Sequence, residues 1–149
     1  MPNIAYKDVP EQGNLYYDYM DANPRLVAFY NGHHRSRSDL RRLGKNVLEH
    51  DYDRERLVSI LRDTNEKYGL TPESEASLDT LRRENCVTVI TGQQCGLYTG
   101  PFYTISKAIT TIKVAEYLQG LLEKPVVPLF WMESSDHDYA LVNHIYFPS

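Results

Sequence analysis

The sequence predicts an α/β fold: one βαβ unit of a doubly wound parallel sheet, entered through a helical lead-in. Three observations point there. Two short apolar runs, 86–91 (CVTVIT) and 126–132 (VVPLFWM), lack the polar alternation of a half-exposed strand, which marks strands covered on both faces. Between them, starting near Phe102, lies a helical stretch of about twenty residues, the crossover that two parallel strands require. Polar clusters at 92–103 and 133–144 follow the two runs directly, at the carboxyl ends of strands where such folds take ligands.

Taken in order, residues 1–14 hold Pro2, Pro10 and Gly13 and read as an extended arm. Tyr16, Tyr17, Tyr19, Phe29 and Tyr30 follow, broken by Asn23-Pro24. Such density suits a stacking platform for bases or sugars, but core or interface filling is the more economical reading. Residues 33–45 (HHRSRSDLRRLGK) carry five cationic side chains and two histidines. An exposed loop followed by a solvated helical face accounts for them better than a phosphate receptor does. His33 and His34, being adjacent, point apart and make a poor metal pair. Residues 51–68 place Leu57, Ile60, Leu61 and Tyr68 on one helical stripe, with Asp51 or Asp53 as N-cap and Gly69 as stop. Thr71 caps the next helix, Pro72 opens it, and it runs to near Arg83. Residues 1–85 thus form the helical lead-in, and 86–149 the first βαβ unit with its site loop. Ile145, Tyr146 and Phe147 look like the start of a further strand, so the sheet is expected to be truncated at the C-terminus.

The totals exclude several classes. A net charge of −4 with 24% charged residues leaves no general basic surface, so no nucleic-acid partner is expected. Cys86 and Cys95 make neither a disulfide framework nor a metal set, which fits a reducing, cytoplasmic setting. No apolar run approaches about 18 residues, and residues 1–12 lack a signal-peptide pattern, so no membrane partner is expected.

Gly92, Gly96 and Gly100 are spaced by four, which is neither the dinucleotide fingerprint nor a P-loop. Three glycines and Pro101 still let the backbone turn tightly and launch a helix whose free amides favour an anion. Gln93 and Gln94 add uncharged donors and acceptors, and Lys107 falls on the second turn; a compact βα turn without a ligand is the alternative. Beyond the second strand come Glu133, Ser134, Ser135, Asp136, His137 and Asp138, with Asn143 and His144 further on. A histidine flanked by carboxylates has the parts of a general base. If 139–143 is helical, His137 and His144 share a face. The bland alternative is that Ser135 or Asp136 caps a short helix. The spacing matches no zinc pattern, so no metal is expected. Cys95 reads as a small loop filler, since nothing in the sequence lowers its pKa.

Thr91-Gly92-Gln93-Gln94, Gly96-Leu97, Thr99-Gly100-Pro101, Tyr103-Thr104-Ile105 and Lys107-Ala108, followed by Pro125-Val126-Val127-Pro128, Phe130-Trp131, Asp136-His137-Asp138 and Val142-Asn143-His144, together resemble the bacillithiol biosynthesis cysteine-adding enzyme family. The resemblance implies a partial Rossmann-like, nucleotidyltransferase-type parallel sheet. It implies a longer parent with inserted segments and a coiled-coil arm supporting a homodimer. The implied reaction is the last step of bacillithiol synthesis, joining the carboxyl of cysteine to the amine of glucosaminyl-malate. Amide formation from a free carboxylate is uphill in water, so an activated cysteine is implied, with ATP as the natural activator and Mg²⁺ left open. Carried over, Gly92, Gln93, Gln94, Gly96, Thr99, Gly100 and Tyr103 become substrate contacts and Lys107 balances an anionic group. Asp136, His137 and Asp138 become the catalytic group, with Asn143 and His144 lining the same crevice. A non-catalytic nucleotide- or metabolite-binding α/β module, or a purely structural piece, remains the alternative.

Overall fold

The computed structural model describes residues 14–135 and 139–144. They fall into two compact units, divided between Asn46 and Val47.

The first unit holds α1 (Asn14–Met20), α2 (Pro24–Val27) and the greater part of α3 (Arg37–Leu48). Ala22 takes a left-handed φ of 54° as the chain leaves α1. Asn23 then restarts a helix: its side chain accepts from Arg25 N at 3.1 Å and donates to Asp18 at 2.8 Å, with Pro24 in the first turn. The aromatic run packs on itself and its neighbouring histidines. Tyr19 lies 5.0 Å from Tyr30 and stacks on His34 at 5.1 Å. His33 Nδ1 accepts from Arg35 N, which leaves Nε2 to donate to the Tyr19 carbonyl at 3.0 Å. Asp39 accepts from His33 N at 3.0 Å and from Arg42 at 3.2 Å. The His33 amide bond first, then Arg42 and Ser36, hold its carboxyl below the usual carboxylate range.

The second unit holds α4 (Arg54–Glu66), α5 (Pro72–Leu81), β1 (Val87–Gln94), α6 (Phe102–Leu122), β2 (Val126–Glu133) and α7 (Tyr139–Val142). Local signals place the lead-in helices. Asp53 accepts from Arg56 N at 3.0 Å and Thr71 from Ser74 N at 3.2 Å, with Pro72 in the first turn. The buried face of α4, however, carries Val58 and Leu61, while Leu57, Ile60 and Tyr68 are exposed. Four apolar residues within 57–61 leave the helical phase ambiguous, and contact with α5 resolves it.

β1 and β2 pair in parallel, from Val87 opposite Val126 to Gln94 opposite Glu133, with α6 as the crossover. The β1 ladder continues three residues past Thr91, because β2 extends opposite it as far as Glu133. One sheet face packs Val87, Val89 and Val126 against Ala115, Leu118 and Leu122 of α6. The other packs Cys86 and Val127 against Val58, Leu78 and Leu81. The result is α/β, with helices on both faces of the strands. Burial is full only where the strands begin, at Val87 of β1 and at Val126 and Val127 of β2; Ile90, Trp131 and Met132 are 63%, 58% and 55% exposed, which corrects the expectation of strands covered along their length. α6 likewise leaves Phe102, Ile105, Ile109 and Ile112 exposed, beside its solvent-facing Lys113–Glu116 pair. Among the described residues no helix is long and apolar enough to cross a membrane.

Arg54 ties α4 to α5 and the sheet within the second unit. Its guanidinium donates to the carbonyls of Leu81 (3.1 Å), Glu84 (3.3 Å) and Cys86 (3.0 Å) and lies over the Tyr52 ring. These carbonyls lie at the end of α5, in the turn after it and just before β1, so one side chain joins the segments on either side of that turn. Burial pushes the adjacent Cys86 thiol up in pKa and keeps it protonated.

Arg54→Ala should cost about 2–4 kcal/mol, since it strands three acceptors, and Arg54→Lys should recover only part of it; urea denaturation of both variants reads this. Acid should weaken the first unit as well. A depressed folded pKa gives Asp39 stability that is present above its unfolded value of about 3.9 and is lost as pH falls through the folded value. Asp39→Asn should flatten that acid limb in melts taken between about pH 5 and pH 2.

Candidate functional site

The carboxyl end of β1 and the amino end of α6 build the candidate site. Lys107, one turn into α6, turns its half-buried side chain back to the strand. Its ammonium donates to Gly92 O at 3.1 Å and to Gln93 Oε1 at 2.7 Å, and lies 5.4 Å from the Tyr103 ring centroid. Gln93 Nε2 donates to the Tyr103 hydroxyl at 3.0 Å. The amide orientation follows from chemistry: an ammonium only donates, so the Gln93 oxygen must face it. Thr111 donates to the Lys107 carbonyl at 2.8 Å, closing the turn below. Four predicted residues, Gly92, Gln93, Tyr103 and Lys107, therefore meet in one cluster.

Glycine is required at 92 by the neighbouring strand, since a Cβ there would lie 2.8 Å from the Trp131 carbonyl oxygen. Gly96 and Gly100 meet each other. A Cβ on Gly96 would lie 2.8 Å from Gly100 Cα, so the two backbones close a small loop around a 3₁₀ turn at Leu97–Thr99. Within it Tyr98, Thr99 and Gly100 all have positive φ, at 50°, 76° and 70°, a run that costs side-chain-bearing residues conformational energy. This loop delivers the chain to α6, whose N-cap, Pro101, supplies no side-chain hydrogen bond to the free amides. Thr104 Oγ1 is buried there and has no hydrogen-bond partner among the described residues.

The electrostatics favour an anion. Among the described residues Lys107 is held by neutral groups alone, and it shares the site with the positive end of a 21-residue helix. A phosphate or carboxylate oxygen is the kind of group that an ammonium and a helix N-terminus each attract. No group of three potential metal ligands occurs among the described residues.

Gln94 lies in the ladder opposite Glu133, and Cys95 N donates to the Glu133 carbonyl at 3.3 Å. Glu133 itself was not among the predicted site residues. Its carboxylate accepts from Trp131 Nε1 at 3.2 Å, from Ser135 N at 2.9 Å and from Ser135 Oγ. The signal available in the sequence is the i, i+2 spacing of Trp131 and Glu133, which puts both on one face of the strand. Asn143 and His144 follow α7 exposed, His144 Nδ1 lying 2.8 Å from Asn143 Oδ1. Asp136, His137 and Asp138 lie outside the described residues.

Gly96→Ala should open the loop by forcing Gly100 away, destabilising it by about 1–3 kcal/mol. Hydrogen exchange of the amides at 96–104 should rise while those of β2 stay protected.

Residues 3–149 match the family model described as "Bacillithiol biosynthesis BshC, N-terminal Rossmann-like domain". Curated relatives named "Putative cysteine ligase BshC" agree with it. The protein of Salinibacter ruber is 40% identical over 126 residues, 85% of this chain and 23% of its own. That of Geobacillus kaustophilus is 44% identical over 95 residues, 64% of this chain and 18% of its own. That of Prosthecochloris aestuarii is 35% identical over 145 residues, covering 91% and 26%. The chain thus spans a quarter or so of the length of the relatives it matches, in the part that carries the strand, crossover and site loop described above. It belongs to the BshC family of bacillithiol biosynthesis, as that family's N-terminal Rossmann-like domain.

Proposed function

We propose that this domain serves a ligase that joins the carboxyl of cysteine to the amine of glucosaminyl-malate, the last step of bacillithiol biosynthesis, through an activated cysteine. Family membership supports the pathway. The observation that carries the site assignment is the Lys107 ammonium, held by neutral acceptors at the carboxyl end of β1 and the amino end of α6.

ATP supplies the activation in this reading, because amide formation from a free carboxylate is unfavourable in water. Lys107, the α6 amides and Thr104 fit the phosphate or carboxylate of such a complex. Gly92, Gly96 and Gly100 bring the backbone close to it, with Gln93, Gln94, Thr99 and Tyr103 as the polar side chains around it. Asp136, His137 and Asp138 accept the proton that the amine loses as the new carbon–nitrogen bond forms, and Asn143 and His144 line the crevice. Residues 1–85 act as the lead-in and 86–149 as the first βαβ unit. The parent works in the cytoplasm as a homodimer.

Mass spectrometry of full-length protein carrying this domain, incubated with cysteine and glucosaminyl-malate, tests the reading. A product of bacillithiol mass formed only with ATP is expected; none with or without ATP would favour a binding module. Lys107→Ala should raise KM about tenfold or more with a smaller effect on kcat, whereas His137→Ala should lower kcat.

A further inference from the structure

Resting on the anion-site reading above, we infer that Gln93 is a displaceable plug: its side-chain oxygen occupies the place on Lys107 that the anionic group of the substrate complex takes, so binding requires the amide to leave. Three observations carry this. First, Gln93 Oε1 is the nearest partner of the ammonium, at 2.7 Å against 3.1 Å for Gly92 O. A charged donor at that distance makes a strong bond, yet its acceptor is a neutral amide that cannot cancel the charge. Second, the bond to Gly92 O is to the backbone of the ladder and cannot move without breaking strand pairing, whereas among the described residues the Gln93 amide has, besides Lys107, the exposed contact of its Nε2 with the Tyr103 hydroxyl. Of the two acceptors, only the amide can swing. Third, the Tyr103 ring lies 5.4 Å from the ammonium, and this cation–ring attraction does not involve the amide oxygen.

The plug changes what the site selects. A neutral or weakly basic oxygen gains little by replacing an amide oxygen on the same ammonium. An anionic phosphate or carboxylate gains the charge–charge attraction that the amide lacks. Gln93 therefore sets a threshold that favours anionic over neutral groups and keeps Lys107 from binding water or stray acceptors tightly in the resting protein. A simple ligand contact at Gln93 predicts the opposite sign for its removal, and this makes the two roles separable.

The test is calorimetric titration of full-length protein carrying this domain with ATP and, separately, inorganic pyrophosphate. If the plug operates, Gln93→Ala tightens pyrophosphate binding about three- to tenfold relative to wild type, and Lys107→Ala weakens it at least about tenfold. Gln93→Glu, whose carboxylate would neutralise Lys107 permanently, weakens both ligands. Tyr103→Phe, which keeps the ring but frees the amide, tightens binding in the same direction as Gln93→Ala. Should the alanine variant unfold, shown by a lost thermal transition, Gln93→Met supplies the same comparison with side-chain bulk retained. Weaker or unchanged binding in Gln93→Ala with a large Lys107→Ala effect would overturn the plug and leave the anion site standing. No effect of Lys107→Ala, or no binding by any variant, would overturn both.

Discussion

The parallel register of β1 and β2 is the constraint on which the second unit rests. Pairing Val87 with Val126 and Gln94 with Glu133 brings both strands to the same edge together. The loop after each then opens on one side of the sheet, as a parallel pair joined by a helical crossover must arrange. The same register sets the side-chain chemistry. It places Gly92 under the Trp131 carbonyl, where any Cβ would collide, and keeps Gln93 in extended backbone within reach of Lys107.

The site loop is built by backbone contact more than by side chains. Gly96 against Gly100 closes it, and three successive positive φ values turn the chain into α6 without a capping side chain. Leaving those helical amides open would be a liability in a purely structural turn, where Ser, Thr, Asn or Asp normally fill the position. The same helix carries, on its second turn, an ammonium that among the described residues is held by neutral groups, so its amino-terminal part holds two sources of positive potential.

Apolar surface is left on α6 and toward the carboxyl ends of the strands, at Ile90, Trp131 and Met132. On α6, Phe102, Ile105, Ile109 and Ile112 are open. The amino halves of the strands show the opposite case. There α6 on one face and α4 with α5 on the other bury Val87, Val126, Val127 and Cys86, and the three bonds from Arg54 join α4 to the end of α5 and the start of β1.

Features encoded by neighbours in the chain were legible from the sequence. The caps Asp53 and Thr71, the Pro72 helix start, the α6 crossover and the two strands rest on local chemistry or simple period, and Lys107 met Gly92, Gln93 and Tyr103 because a second-turn side chain on the crossover helix points back at the strand it follows. What depends on distant residues was decided only by the tertiary structure. The buried phase of α4 was set by α5 and not by its own apolar pattern, in which Val58 and Leu57 compete equally. The continuation of β1 through Gln94 needed β2 opposite it, and the Glu133 contact with Trp131 needed the strand to persist to its end. A backbone hydrogen-bond ladder or a packed face takes its limits from its partner, so a single chain segment read alone can announce an element but cannot state where its pairing stops or which side it buries.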